Sequence, residues 1–71
     1  MKRHFEFVGG SSAKFWEVAV AGCAVTVCFG RIGTAGQEQT KTLVDAAAAQ
    51  QHANTLIAAK IKKGYLETIL A

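Results

Sequence analysis

The sheet of this protein can be laid out from one stretch of sequence, Cys28-Phe29-Gly30-Arg31-Ile32-Gly33-Thr34-Ala35-Gly36-Gln37. It begins with the alternation of a β-strand and ends in a turn marked by glycines. An aromatic residue, Phe29, and a basic one, Arg31, stand just before the turn. No cluster of acids, bases or nucleophiles surrounds them, so the stretch indicates a contact surface rather than an active site.

Three segments around this stretch alternate with the period of a β-strand. Residues 2–8 and 14–21 are predicted strands, separated by a Gly/Ser-rich loop. Residues 24–31 follow a tight turn at Gly22 and are predicted to form an antiparallel hairpin with the preceding strand. Trp16 stands mid-strand among apolar neighbours, so we predict that it lies in the core.

The second half of the chain predicts a polar strand followed by a helix. Residues 37–44 would continue the meander with one side facing solvent. Asp45 suits the N-cap of a helix from Ala46 to Lys63, and Gly64 suits its end. Residues Tyr65 to Leu70 are expected to form a final strand or turn that closes the sheet.

The spacing of apolar residues in the helix predicts one face that packs on the sheet. That stripe consists of Ala49, Ala53, Leu56, Ile57 and Ile61. The solvent-facing side is predicted to carry Gln50, Gln51, Asn54, Lys60, Lys62 and Lys63. The predicted fold class is therefore α+β: a small antiparallel β-sheet of four to five strands with one long α-helix packed across it, in a single domain of residues 1–71.

Charge and hydropathy narrow the possible partners. Eight Lys and Arg against five Asp and Glu give a net charge of +3, a mild basic bias that is compatible with an anionic partner such as nucleic acid. No apolar run has the form of a signal peptide or the length of a membrane span. The sequence therefore predicts no membrane partner, and a cytoplasmic location is the default expectation.

The residue pattern does not predict catalysis or metal binding. The acids are single and scattered, and the glycines after Phe29 lack the Gly-Lys-Ser/Thr ending of a phosphate loop. Cys23 and Cys28 are the only cysteines, and the two histidines that could join them, His4 and His52, lie on different predicted elements. We predict two reduced thiols, no metal, no cofactor and no enzymatic activity.

Several short motifs together resemble one known family. Phe29-Gly30-Arg31-Ile32-Gly33 followed by Gly36-Gln37 is similar to the signature of the WGR domain, named for Trp-Gly-Arg, with Phe29 in the Trp position. Lys14-Phe15-Trp16-Glu17 upstream and Lys62-Lys63-Gly64-Tyr65 downstream match in the family's order. The matches cover nearly the whole chain, and the fold that the resemblance implies is the α+β fold given above.

The resemblance implies roles for individual residues. In the WGR domains of poly(ADP-ribose) polymerases the signature aromatic packs on the sugar at a DNA strand end, which is the role expected of Phe29, although its ring is smaller than an indole and lacks the N–H donor. The signature arginine, here Arg31, lies near the DNA end. A family lysine, here Lys14, reaches the nucleic-acid backbone, with a polar residue two positions earlier, here Ser12. A family tyrosine near the bound terminal phosphate corresponds to Tyr65.

Two functions remain open from the sequence. The first is a non-catalytic nucleic-acid-binding module for DNA ends or nicks, with Lys62 or Lys63 adding to a basic patch if they lie beside Lys14 and Arg31. The second is a protein-interaction module that docks on a partner or dimerises through an edge strand, although a monomer is expected. The residue pattern alone also allows Phe29 to be a core residue, Arg31 a solvated one and Tyr65 a partly buried aromatic.

Overall fold

The computed structural model describes residues 1–68, which form a five-stranded antiparallel sheet and one helix. The strand order is β4-β3-β2-β1-β5, so the first four strands form a simple meander. This arrangement confirms the predicted α+β class. The elements are β1 Lys2–Gly9, β2 Ser12–Ala21, β3 Ala24–Arg31, β4 Gln37–Thr42, α1 Ala46–Lys62 and β5 Leu66–Thr68.

A glycine turn sets the register of the central hairpin. Gly22 adopts φ 61°, a left-handed conformation that suits a residue without a Cβ atom. The turn pairs Ala21 with Ala24, and from there Trp16 lies opposite Phe29. Residues directly opposite each other on neighbouring strands point to the same side of the sheet, and successive residues of one strand alternate between the two sides. Trp16 and Phe29 therefore share one side, which we call the helix face. The other side is the outer face.

The helix covers β2 and β3 on the helix face through small residues. Ala49 and Ala53 are fully buried, which lets the helix backbone approach the sheet closely. The core around them consists of Phe5, Trp16, Val18, Val25, Ile57 and Tyr65. The predicted burial of Trp16 is thus confirmed, and Asp45 caps the helix as predicted, its Oδ1 accepting a hydrogen bond from Ala48 N at 2.7 Å.

Two predictions about the helix are wrong at its C-terminal end. Ile61 is predicted to face the core but is 54% exposed. Lys60 is predicted to face solvent but is half-buried. A helix advances by about 100° per residue, so Ile61 lies about 120° around the axis from Ala49, and Lys60 only about 20° from it. Ile61 therefore turns away from the sheet, and Lys60 shares the core-facing side.

The polar strand is shorter than predicted. β4 ends at Thr42 rather than residue 44, and all six of its residues are exposed. Leu43 turns towards the core and packs against it, while Val44 is 89% exposed. The helix packs on β2 and β3, so β4 extends beyond the area that the helix covers.

The loop after β3 packs on the outer face. Phe15 points to that side yet is only 7% exposed, because the loop covers it. At Gly36, where φ is 74°, an added Cβ would lie 2.5 Å from the Phe29 carbonyl oxygen and 2.7 Å from Phe15 Cζ. The His4 ring stacks near the Phe15 ring, with centroids 5.7 Å apart. Only glycine fits at position 36.

The predicted final strand is present in part. β5 pairs with β1 and places Glu67 opposite Phe5; residues 69 and 70 of the predicted segment lie outside the described residues. Arg3 donates two hydrogen bonds to Glu67, from Nε at 2.8 Å and from Nη2 at 2.7 Å. These bonds hold the pKa of Glu67 below, and raise the pKa of Arg3 above, their ordinary values. The pair ties β5 to the edge of the sheet.

Candidate functional site

A cleft of about 370 Å³ opens at the end of the sheet where β2 begins and β3 ends. Five of the residues predicted from the sequence line it: Ser12, Lys14, Phe29, Arg31 and Tyr65. The remaining lining residues are Ser11, Ala13, Phe15, Gly30 and Lys60. We call it the cationic cleft, since three of its side chains are basic and, among residues 1–68, no acidic side chain lines it.

Two of the three cations face each other across the central hairpin. Lys14 and Arg31 are directly paired between β2 and β3, and both are exposed. Lys14 Nζ lies 5.5 Å from the centre of the Phe7 ring. Within the described part of the chain, neither residue forms an ion pair. Like charges opposite each other destabilise a sheet, and both remain available to bind an anion.

Lys60 is the third cation, and the sequence did not predict it as a site residue. Its Nζ lies 5.2 Å from the centre of the Tyr65 ring and 5.7 Å from that of Trp16. Burial lowers the pKa of Lys60, and the charges of Lys63 and Lys14 lower it further. The helical position of Lys60, on the same side as the buried alanines, is the sequence signal that could have identified it.

Tyr65 is held by the turn that ends the helix. Gly64 adopts φ 103°, and the Tyr65 backbone N–H donates to the Lys60 carbonyl oxygen at 3.0 Å. The Tyr65 ring packs against Phe7, with centroids 5.5 Å apart, and is 9% exposed. The residue is therefore a buried aromatic that also forms part of the cleft wall.

Phe29 separates the cationic cleft from a second one. Its ring is half-buried and packs against the core, and it lines both clefts. The second cleft, which we call the helix-side cleft, has a volume of about 390 Å³ and lies between α1 and the β3–β4 side of the sheet. Its lining consists of Trp16, Val25, Val27, Phe29, Gln39, Thr40, Lys41, His52, Leu56 and Lys60.

Two predicted residues lie outside the cationic cleft. Lys62 and Lys63 are exposed at the end of the helix and do not line the cleft. Lys63 is near enough for its charge to lower the pKa of Lys60. Binding roles for these two lysines stay predictions.

The remaining titratable groups with close partners lie on the outer face. His4 Nε2 is 3.1 Å from Glu6 Oε2, and His4 Nδ1 is 3.6 Å from Glu17 Oε1. Lys2 pairs with Glu17 at 3.4 Å. Cys23 and Cys28 are unbridged thiols, and residues 1–68 contain no group of three or more side chains suited to a metal ion. Over the same residues, no helix is long and apolar enough to cross a membrane.

Comparison with known proteins identifies similar chains in bacteria. The chain is 45% identical over 65 residues to protein YehF and 39% identical over 67 residues to protein YfeS, both of Escherichia coli K12. These matches cover 92% and 94% of this chain, but the chain spans only about a quarter of each relative, 24% and 28%.

A solved structure shares the fold and much of the sequence. It is a crystal structure of a Bacteroides fragilis protein, superposed with a TM-score of 0.94 and 48% sequence identity, covering 97% of this chain and 20% of that one. The family model of the WGR domain matches residues 1–69. The chain therefore belongs to the WGR domain family.

Proposed function

We propose that this domain is a non-catalytic nucleic-acid-binding module that holds the sugar–phosphate backbone at a DNA end or nick in the cationic cleft. The observation that carries the proposal is the convergence of Lys14, Arg31 and Lys60 in one cleft, beside an aromatic face. Family membership supports it, because nucleic-acid binding is the function that the WGR resemblance implies.

Six of the lining residues have a chemical role in the proposed complex. The planar guanidinium of Arg31 presents a fork of donors that fits two phosphate oxygens. Lys14 and Lys60 add compact charges, and the hydroxyls of Ser12 and Tyr65 can donate to a further oxygen. Phe29 offers a flat apolar face to the sugar or base beside the phosphate.

The small number of cations predicts modest, salt-sensitive binding. If each of the three basic side chains neutralises one phosphate, the logarithm of affinity should fall against the logarithm of salt concentration with a slope of about −2 to −3. An interaction that does not respond to salt would therefore point to a different surface of the protein.

Fluorescence anisotropy at low salt tests the proposal. The protein is titrated onto labelled duplexes that carry a 5′-phosphorylated nick, a blunt end or a closed hairpin terminus. We expect the tightest binding at the phosphorylated nick and a loss of about tenfold for Arg31→Ala. The matched control is Lys2→Ala, which removes the same charge from the outer face and should leave binding unchanged.

Further variants test whether the two lysines at the end of the helix belong to the binding surface. If Lys62→Ala and Lys63→Ala reduce affinity as much as Lys14→Ala, the binding surface extends past the cleft to the end of the helix. If Lys2→Ala weakens binding as much as Arg31→Ala does, attraction depends only on net charge and the cleft is not the site. Failure to bind every duplex at low salt would refute the proposal.

A protein-interaction role is the second candidate, and the outer face favours it. Val8 and Leu66 lie on that face and are 73% and 74% exposed, and the edge strand β4 is wholly exposed. The similar proteins are also several times longer than this chain. A pull-down with Val8→Ser and Leu66→Ser tests this role. Loss of a captured partner in those variants, with Arg31→Ala retaining it, would favour docking through the outer face.

A further inference from the structure

The helix-side cleft adjoins the cationic cleft. The two share Phe29 and Lys60 as common wall residues. The helix-side cleft exists because α1 packs on β2 and β3 and leaves β4 uncovered. A ligand held by its phosphate in the cationic cleft can therefore extend past the Phe29 ring into the second cleft.

The lining of the helix-side cleft combines apolar, polar and basic groups. Val27, Phe29 and Leu56 supply apolar surface and pack partly against the core. Gln39 and His52 supply an amide and an imidazole at the rim, beside the basic Lys41. In the part of the chain that the structure describes, no carboxylate lines this cleft, so nothing in its lining repels an anionic ligand.

This combination matches the chemistry of a nucleobase. A base has two apolar faces and a polar edge, and it stacks favourably on an aromatic side chain whatever its identity. A glutamine amide both donates and accepts hydrogen bonds, as does a neutral histidine ring, so the rim can pair with different base edges. The volume of about 390 Å³ falls in the range of small-molecule sites.

We propose that the helix-side cleft receives the base of an unpaired terminal nucleotide whose 5′-phosphate occupies the cationic cleft. The inference rests on the proposed function, because the phosphate positions the nucleotide. Phe29 stacks on the base or its sugar, Leu56 packs on the same unit, and Gln39 and His52 contact the polar edge. The domain then recognises a frayed or displaced end rather than a fully paired one.

Two DNA probes that differ in one group test this inference. Both are nicked duplexes with a 5′-phosphorylated, one-nucleotide unpaired flap; in the first the flap carries thymine, and in the second it is an abasic tetrahydrofuran. We expect about tenfold tighter binding of the thymine probe. In the double variant Gln39→Ala/His52→Ala the preference should become smaller, because the contacts to the polar edge of the base are lost, while affinity for the abasic probe is retained.

The single tryptophan supplies an independent signal. Trp16 is the only tryptophan of the chain and lines the helix-side cleft, so a base that enters should change its fluorescence, whereas the abasic flap should not. Lys2→Ala serves as the control for charge loss outside both clefts. Fluorescence changes that are equal for the two probes would contradict entry of the base.

The outcomes separate this inference from the proposed function. Equal affinity for the thymine and abasic probes, with binding still lost in Arg31→Ala, would overturn the base site and leave the phosphate site intact. Absence of binding to either probe at low salt would refute both. A preference for thymine that is undiminished in Gln39→Ala/His52→Ala combined with Leu56→Ala would place the base elsewhere and overturn the inference.

Discussion

Lys14 and Arg31 are directly opposite each other in the β2–β3 ladder, on the same face of the sheet. Two cations in this arrangement repel each other, so the pair weakens the hairpin that carries it. In residues 1–68 neither has an ion-pair partner to offset the repulsion. The proposed binding of an anion would account for a pairing that does not help the fold.

Replacing Arg31 should therefore increase stability while it reduces binding. Arg31→Gln keeps a polar side chain but removes the repulsion, and we expect a gain of about 0.2–1 kcal/mol in the free energy of unfolding. Affinity for the nicked duplex should fall about tenfold. Urea denaturation and anisotropy measure the two effects. A stability gain of equal size in Lys2→Gln, which loses a partner rather than a repulsion, would contradict the explanation.

Lys60 should show the same opposition between stability and binding. Lys60→Met keeps the side-chain length and removes the charge that burial and neighbouring lysines disfavour. Relief of the repulsion by Lys63, three residues further along the helix, should alone stabilise the protein by about 0.2–0.5 kcal/mol. Binding to the nicked duplex should weaken. Lys62→Met, at the exposed end of the helix, is the matched control. It should neither increase stability nor weaken binding to the nicked duplex.

The lowered pKa of Lys60 also fixes the sign of a pH effect. A lysine whose pKa is lower in the folded than in the unfolded chain binds fewer protons when folded, so stability rises with pH in that interval. The stability advantage of Lys60→Met over the parent should therefore shrink as the pH rises through the lowered pKa of Lys60 towards 10.5. Chemical denaturation at several alkaline pH values measures it, and an advantage that grows with pH would contradict the assignment.

Two glycines of the β3–β4 loop should respond very differently to alanine. Both have positive φ, 95° at Gly33 and 74° at Gly36, but an added Cβ meets nothing within 4 Å at Gly33. Gly33→Ala should cost about 1–2 kcal/mol of stability from backbone strain. Gly36→Ala adds a clash with the Phe29 backbone and the Phe15 ring, so we expect a loss of about 3 kcal/mol or more. Denaturant midpoints compare them; equal losses would contradict the packing of this loop.

The Arg3–Glu67 pair should make the attachment of β5 sensitive to acid. The pKa of Glu67 is lowered chiefly by its hydrogen bonds from Arg3. The ionised carboxylate therefore contributes its full stabilisation at a pH above the pKa of Glu67 in the unfolded chain. This stabilisation disappears as the pH falls through the lower pKa of Glu67 in the folded protein. Glu67→Gln should thus be slightly less stable than the parent at neutral pH and equal to it in strong acid. Thermal unfolding across this pH range tests it, with Glu38→Gln on the exposed β4 as the control.

Restoring the signature aromatic should strengthen binding. Phe29→Trp enlarges the stacking surface between the two clefts and adds an N–H donor, and the open side of the half-buried ring leaves room for it. We expect affinity for the phosphorylated nick to rise severalfold, with little change in thermal stability. Anisotropy on nicked and closed duplexes measures the effect. Tighter binding to both would indicate general stacking rather than recognition of an end.

Local patterns were sufficient to predict most of this fold. The alternation of residues 2–8, 14–21 and 24–31 marks three strands, and the turn at Gly22 sets the register that places Lys14 opposite Arg31. Asp45 identifies the helix start because its side chain can replace the missing backbone acceptor of the first turn. These features depend on residues that are close together in the sequence, so they can be predicted from the sequence alone.

The part of the site that was missed depends on how the helix lies on the sheet. Lysine is seldom buried, so the sequence predicts a solvent-facing Lys60, although its angular position matches that of the buried alanines. Tertiary packing determines which strands the helix covers. Because the helix does not cover β4, a space remains above that strand. The helix-side cleft therefore has no local sequence pattern, and neither its existence nor the role of Leu56 in it could be predicted.

The Met1 backbone pairs with Val20, at the end of β2 farthest from Ser12. At about 3.4 Å per residue, that is some 27 Å away from the cationic cleft. β5 runs antiparallel to β1, so at Thr68 the chain is heading towards this remote end as well. The first residue of the sheet and the last described residue of β5 therefore both lie towards the end of the sheet opposite the cationic cleft. Immobilising the protein through Met1 should therefore leave the cationic cleft facing the solution.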